Sequence, residues 1–427
     1  MVPNISFVAF CGPHESNSEM SFHTGGSSDL LCGVPVELTV EQKIVVGSIL
    51  EWYRELKEPY ITVGGYAGTG KTTILGAVRE LLGKEKVLKR VAFCAFTGKA
   101  ASVLRHRLKD HKALKRGDYC GTIHGLIYEP VLDELGMVAS FKRIQSIRHD
   151  LIVVDEASMV GGPLWDDLCS FEVPIVAIGD HGQLPPLEGT LNLVAEPRLR
   201  LETIHRQAEG NPIIKVSLLA REDGVIPEGV YGPGVEKIPK DADATRERLE
   251  SEFESFNAET MILCGYNRTR VALNKHVREK LGFEGEELQL GERVICLRNN
   301  WSARQHPIFN GMLGEVLSIE PEMDHGIVHW YNVIFQMDGE DRLYTGQISA
   351  HQIDNLKTVN EVEGLPPTEI GDRFDRGYAL TVHKAQGSQA RKVILFEQKS
   401  KLWSGDAYRR WLYTAVTRAR EELLIVG

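Results

Sequence analysis

The sequence predicts an α/β protein of two units, each a buried parallel sheet flanked by helices. A short β-hairpin is inserted in the first unit and a small β-barrel in the second. Three observations lead there. From Glu37 onward, short apolar runs alternate with segments of helical spacing. The runs end in polar residues, as strands buried on both faces do. Residues 298–371 break the alternation with Gly-dotted, β-leaning stretches such as GEVLSI, HWYNVIFQ and DRLYTGQIS. The 427 residues suffice for roughly two to four domains.

In chain order, residues 1–36 are rich in Ser, Gly and His without a sustained period, and read as an N-terminal extension. GSILEWYRELK (47–57) has helical spacing, YITVGGY (60–66) is a strand running into glycines, and KTTILGAVRELLG (71–83) is an amphipathic helix. RVAFCAF (90–96), LIVVDEA (151–157) and VPIVAIGD (173–180) are apolar runs whose carboxyl ends are where open α/β sheets bind ligands. These elements define a first unit over 37–200. Within it, residues 128–148 alternate around Leu135-Gly136-Met137 and predict the hairpin. TMILCGYN (260–267), VILF (393–396) and ELLIVG (422–427) belong to a second unit, 201–297 and 372–427, that surrounds the β-rich 298–371.

The net charge of −10, from 49 Lys and Arg against 59 Asp and Glu, excludes a protein that coats nucleic acid with its whole surface. A local basic track remains open. Lys84 to Asp118 holds 11 basic and 3 acidic residues, whereas Glu222–Glu259 holds 4 against 11 and Glu320–Arg376 holds 4 against 12. The seven cysteines form no Cys-x-x-Cys pair, so neither a zinc site nor a disulfide framework is expected, and a reducing cytoplasmic setting fits. No apolar run approaches the roughly 18 residues of a membrane span.

Gly65-Tyr66-Ala67-Gly68-Thr69-Gly70-Lys71-Thr72 fits G-x-x-x-x-G-K-[ST], after a strand and before a helix. Its glycines let backbone N–H groups close around phosphate oxygens, and the helix N-terminus adds partial positive charge. Lys71 would reach the β and γ phosphates and the Thr72 hydroxyl would hold Mg²⁺. Val153-Val154-Asp155-Glu156 ends a strand in two carboxylates. Asp155 would hold Mg²⁺ through its water shell, and Glu156 would polarise the attacking water as general base. An ATPase follows.

Five further segments narrow the class: Ala95-Phe96-Thr97-Gly98-Lys99-Ala100-Ala101, Gly179-Asp180-His181-Gly182-Gln183-Leu184-Pro185-Pro186, Leu201-Glu202-Thr203-Ile204-His205-Arg206-Gln207, Thr381-Val382-His383-Lys384-Ala385-Gln386-Gly387-Ser388, and Tyr413-Thr414-Ala415-Val416-Thr417-Arg418-Ala419. In this order and spacing, from about Leu38 to Gly427, the chain resembles the superfamily-one helicases of the RecD-like branch. The resemblance implies two RecA-like P-loop NTPase domains, the hairpin 128–148 serving as a pin that splits the duplex, and an SH3-like barrel as the second insertion. It implies nucleotide contacts by Gln42, Gly65, Gly68, Thr69, Gly70, Lys71, Thr72, Thr73 and Gly387, with Gln42 reading the adenine edge. Gln183 matches a γ-phosphate sensor, and Arg206 and Arg418 match arginines that reach the γ phosphate from the second unit. Thr97, Lys99, His124, Thr381 and His383 look like the lining of a single-strand track, where phosphate contacts position the strand without reading its sequence.

The activity implied is ATP-dependent unwinding of DNA by 5′→3′ movement on single-stranded DNA. It would use ATP and Mg²⁺, act at single/double-strand junctions as a monomer, and have a single-strand-binding or replication protein as partner. A translocase that displaces bound proteins, or a regulatory subunit with a weak ATPase, are the alternatives. Three positions depart from the family pattern. Phe96 stands for the usual Pro, Gln389 for an acidic residue, and His205 for an aromatic that some relatives place against adenine.

Overall fold

The computed structural model describes residues 38–84, 90–132, 138–186, 191–203, 210–300, 308, 310–339, 343–366 and 369–427. The extension 1–36, the hairpin apex at Leu135-Gly136-Met137 and the step His205-Arg206 lie outside the described residues.

The first sheet contains β1 (Tyr60–Gly65), β2 (Val91–Ala95) and β3 (Tyr119–Thr122); β4 (Tyr128–Leu132) and β5 (Val138–Arg143) form a separate antiparallel pair; β6 (Leu151–Asp155), β7 (Ile175–Gly179) and β8 (Leu199–Leu201) complete the sheet. Its order is β3-β2-β6-β7-β1-β8, and every pairing is parallel. Side chains alternate strictly between two cores. Val91, Phe93, Val153, Val176 and Ile178 pack against the helices Val40–Glu55, Lys71–Lys84 and Gly98–Asp110. Ala92, Cys94, Ile152, Val154, Ile175 and Ala177 face the other way, toward Ile123–Ile127 and Gly162–Cys169. A period of two with both faces covered is what turns these segments into continuous apolar runs.

The second sheet runs β17-β11-β18-β19-β10-β9, where β9 is Gly229–Gly232, β10 Val235–Ile238, β11 Thr260–Cys264, β17 Ala379–Thr381, β18 Ala390–Phe396 and β19 Ala419–Val426. It is parallel except for the edge hairpin β9–β10. Helices Pro212–Glu222 and Gly405–Val416 cover one face, and Asp243–Glu254 and Asn267–Lys280 the other.

Five antiparallel strands make the third sheet, ordered β15-β14-β13-β12-β16: β12 Arg293–Cys296, β13 Leu313–Asp324, β14 Ile327–Met337, β15 Leu343–Ser349 and β16 Phe374–Arg376. Two of these strands fall outside 298–371, because Arg293, Asp375 and Arg376 look like surface residues in sequence yet are buried. Chain continuity from β16 to β17 passes through Gly377. A Cβ there would sit 2.8 Å from the carbonyl of Val294, so only glycine lets the chain cross between the sheets. Buried ion pairs fix the junction. Arg270 meets Asp375 at 2.7 Å, and Glu292 takes Arg278 at 2.9 Å and Arg376 at 3.3 Å. Among the described residues, no helix is long and apolar enough to cross a membrane.

Candidate active site and nucleic-acid interface

Strand order sets the nucleotide cleft. The loops after β1, β6 and β7 leave the same edge of the first sheet, with β7 between the other two. One intervening strand puts the phosphate loop and the Asp155-Glu156 step about 10 Å apart, a span that one phosphate group and its cation fill. The helix Lys71–Lys84 starts directly after Gly70, and Gly68 and Gly70 take positive φ of 82° and 81°. Its first N–H groups therefore remain available to an anion.

A cleft of about 810 Å³ opens here, lined by Gln42, Tyr66, Ala67, Gly68, Gly70, Lys71, Thr72, Thr73, Arg107, His111, Asp155, Glu156, Asp180, Gln183, Gln389, Thr417 and Arg418. Lys71 Nζ donates to the carbonyls of Gly65 at 2.6 Å and Tyr66 at 3.1 Å, and stands 4.0 Å from Asp180. Thr69 is buried and donates its hydroxyl to the Tyr66 carbonyl at 2.9 Å, bracing the loop from behind, where Gly65 also packs on it.

Asp155 is pushed up to about 6, first by burial and then by the neighbouring Glu156 carboxylate, with the Lys71 ammonium opposing. Two adjacent acids in a confined site thus call for a cation. Glu156 holds φ at 53°, a left-handed conformation that costs a long side chain energy and recurs at functional sites. Its N–H donates to Asp155 Oδ1 at 3.0 Å, while its Oε2 is buried without a hydrogen-bond partner. Gln183 donates from Nε2 to Asp180 at 3.2 Å, and its Oε1 is likewise unpartnered. Unsatisfied buried acceptors facing a polar cleft fit a site built to take hydrogen-bond donors such as water.

Arg418, almost fully buried, donates to the carbonyls of Thr414 at 2.9 Å and Ser388 at 3.2 Å and to Thr417 Oγ1 at 3.1 Å. Burial lowers its pKa, with Glu156 and Asp180 opposing through the cleft. A guanidinium held only by neutral acceptors keeps its charge available to a phosphate.

A second cavity, about 490 Å³, lies where all three sheets' loops meet. Phe96, Thr97, Lys99, His124, Met159, Leu164 and Pro186 line it from the first unit, His383, Lys384, Gln386 and Ser388 from the second, and Asn299, Asn310 and Gly311 from the inserted one. Thr97 caps the helix Gly98–Asp110 by accepting from Ala100 N–H at 3.2 Å, and Thr122 caps the next by accepting from Gly125 N–H at 3.0 Å. Two helix N-termini thus border a cavity rimmed with Lys and His, a combination suited to phosphates. Burial lowers the pKa of Lys99, with Asp338 opposing, and burial also lowers those of His124, His383 and Lys384. The Phe96 ring meets His124 edge-on at 6.2 Å, and His124 lies 5.8 Å from Tyr128 at the base of the hairpin.

Comparison with known proteins shows what the chain is similar to. Residues 37–230 match the model of an AAA domain, and residues 376–426 that of a UvrD-like helicase C-terminal domain. The chain is 29% identical over 388 residues to the ATP-dependent RecD2 DNA helicase of Deinococcus radiodurans, covering 86% of this chain and 47% of that protein. It is 26% identical to the RecBCD enzyme subunit RecD of Mycolicibacterium smegmatis, covering 87% and 69%. With the ATP-dependent DNA helicase dda of Enterobacteria phage T4 it shares 23% identity, covering 91% and 99%. All three relatives are similar to this chain across most of its length, as the resemblance to the RecD-like branch of the superfamily-one helicases implies. Its fold matches Bacteroides Pif1 bound to ssDNA at a TM-score of 0.52 and 20% identity, over 91% of this chain and 92% of that one. The chain therefore shares with that structure a fold of two RecA-like sheets, while spanning about half the length of the RecD2 relative.

Three further expected site residues take the following places, Gln42 on the nucleotide-cleft lining. Gln42 is 1% exposed and its amide is engaged within the chain. Oε1 accepts from Thr39 N–H at 3.1 Å and Nε2 donates to the Thr69 carbonyl at 3.0 Å, so it braces the phosphate loop against the first helix. Gly387 lies outside the nucleotide-cleft lining; a Cβ there would meet Thr97 Oγ1 at 3.2 Å and Ala100 at 3.3 Å. It permits close approach of the two units beside the second cavity. Thr381 is buried at the end of β17, behind that cavity's lining.

Other contacts were missed in the sequence. Thr414 Oγ1 accepts from Leu184 N–H at 3.0 Å, Gln386 Nε2 donates to the Leu184 carbonyl at 3.0 Å, and Arg410 Nη1 donates to the carbonyl of His181 at 2.7 Å. Arg107 donates to Gln389 at 3.2 Å across the cleft. Only the helical spacing around Tyr413-Thr414 hinted that one of these side chains turns inward.

Proposed function

We propose that the chain is an ATP-driven DNA helicase that moves 5′→3′ on single-stranded DNA. One observation carries the reading. The segment Gly179–Pro186 joins both cavities, with Gln183 on the nucleotide cleft, Pro186 on the second cavity, and Leu184 between them held at both backbone atoms by the second unit. Any change in how the units meet is therefore felt at both ends of an eight-residue stretch.

In this reading Lys71, the amides following Gly68, and Arg418 neutralise the phosphates of ATP, Glu156 orients the attacking water, and Gln183 reports on the γ phosphate. Mg²⁺, held by Thr72 and Asp155, would supply charge neutralisation on the β and γ phosphates; the paired acids and the elevated Asp155 fit such a cation. Thr97, Lys99, His124 and His383 seat the strand, with Phe96 offered as a stacking platform. Closing and reopening of the cleft alternates the grip of the units on the backbone.

The first ATPase unit is 37–200. The second is formed by 201–297 and 372–427, and the insertion centred on 298–371 borrows one inner strand from 293–296 and one edge strand from 374–376. The β4–β5 pair serves as the strand-separating pin. Tyr128 bonds Asp167, and Arg143 donates to Ser170 at 2.6 Å, which roots the hairpin on the first unit. The insertion is read as an SH3-like barrel. Preferred substrates are single strands and single/double-strand junctions.

Duplexes carrying either a 5′ or a 3′ single-strand tail test the proposal. Unwinding is expected from the 5′ tail alone. Unwinding from only the 3′ tail refutes the polarity, and DNA-stimulated ATPase without unwinding of either duplex establishes the translocase instead.

A further inference from the structure

Two residues of the phosphate loop that its motif leaves unspecified, Tyr66 and Ala67, each reach a side chain of the second unit. The Tyr66 ring lies between the Arg221 guanidinium, 3.6 Å from its centroid, and the His181 ring at 4.1 Å. Ala67 N–H donates to the Tyr413 hydroxyl at 2.9 Å. That hydroxyl in turn donates to Asp180 Oδ2 at 2.8 Å. Asp180 also accepts from Gln183 Nε2 at 3.2 Å and lies 4.0 Å from Lys71 Nζ. Gly182 completes the fit, since a Cβ there would come within 3.0 Å of both the Tyr66 and Tyr413 rings.

One hydroxyl thus joins the phosphate-loop backbone to the carboxylate that holds Gln183 and faces Lys71. It belongs to the helix Gly405–Val416, whose next residue, Thr414, grips Leu184. Leu184 is gripped from its other side by Gln386, which lines the second cavity. Gln386, Leu184 and Thr414 are thus linked by hydrogen bonds, and Thr414 adjoins Tyr413 in the chain, which gives one connected route from the second cavity to the hydroxyl. Asp180 is fully buried, so its hydrogen bonds are made in a medium where each counts for more than in water.

We propose that Tyr413 is a positioning residue. Its hydroxyl sets Ala67 and Asp180, and through Asp180 the Lys71 and Gln183 side chains, in step with occupation of the single-strand cavity. The inference rests on the helicase reading above and adds to it the group that transmits DNA binding to the ATP site.

The test is Tyr413→Phe, which keeps the ring and removes the hydroxyl. Steady-state ATPase is measured for wild type and variant, with and without an oligodeoxythymidine strand. Strand affinity is read by fluorescence anisotropy and folding by thermal melting. Losing one hydrogen bond to a buried carboxylate lowers DNA-stimulated kcat about ten-fold. KM for ATP and strand affinity stay within about two-fold, because Tyr413 lies outside the lining of both cavities and its hydroxyl is engaged by Ala67 and Asp180. Tyr413→Phe and Gln386→Ala together depress stimulation less than the product of their separate effects, as members of one series do.

Full stimulation in Tyr413→Phe overturns the proposal. So does a loss of kcat matched by equal loss of strand affinity or by non-cooperative melting, since that is a merely structural role. A wild-type enzyme that DNA does not stimulate refutes the helicase reading and the inference together, and is told apart because it appears before any variant is made.

Discussion

Replacing Glu292 with Gln removes a negative charge without changing volume, at a site where three side chains depend on it. Glu292 is fully buried; its oxygens accept from Arg278 Nε at 2.9 Å, Arg376 Nε at 3.3 Å, Tyr378 OH at 3.2 Å and Gln289 N–H at 3.0 Å. Breaking one side of a buried ion pair costs about 3–5 kcal/mol, because the remaining charge is left uncompensated. Arg376 retains Asp354, whereas Arg278 retains, among the described residues, the Phe283 ring at 5.9 Å and carbonyls that include those of Glu284 at 3.0 Å and Glu287 at 2.8 Å. One stranded guanidinium rather than two places the loss near the lower bound, about 3 kcal/mol. Urea unfolding followed by tryptophan fluorescence measures it, Trp330 reporting from the inserted sheet and Trp403 and Trp411 from the second unit. The transition midpoint should move down with an unchanged slope. A loss below about 1 kcal/mol would show that the guanidiniums are adequately solvated without Glu292, and the claim of a charge-locked junction would fall.

Lys71→Ala should lower ATP turnover at least about 100-fold while leaving single-strand affinity within about three-fold; turnover that persists would remove Lys71 from the site. Glu156→Gln should lower kcat about 10²–10⁴-fold yet still bind a fluorescent ATP analogue, and an unchanged kcat would assign the general base elsewhere. Chelation by EDTA should bring turnover to background and added Mg²⁺ should restore it, which a cation-independent rate would contradict. Burial holds His124 and His383 below the ordinary imidazole value, so both are neutral near pH 7 in the free protein. A phosphate beside them favours the charged form, so strand affinity should rise as pH falls from about 7 to 5.5; a flat profile would place the strand away from both rings.

The sequence made the nucleotide cleft readable because its lining is largely local, with Gly68 to Thr73 contiguous and Asp155-Glu156 at a strand end. The apolar runs RVAFCAF and LIVVDEA exposed the first sheet, since strands covered on both faces carry apolar residues at successive positions. What stayed hidden is carried by pairs far apart in the chain. Nothing near Tyr413 indicates that its hydroxyl meets Ala67, 346 residues away. Gln42, read from its place in the pattern, also forms a capping box with Thr39. Strands β12 and β16 were missed because RVIC and FDR are short and carry charges. Those charges are buried only because Glu292, Asp338 and Arg270 come to meet them.

Leu184 leads out of the first sheet, yet both of its backbone hydrogen bonds named above end in the second unit. Its amide proton is shielded only while the two units touch, whereas those of Val176 to Ile178 are shielded for as long as β7 keeps its parallel neighbours. Deuterium uptake at this one amide, set against the silence of the strand preceding it, reports how often the two units separate. The molecule thus contains its own gauge of contact between its units, readable without a ligand or a mutation.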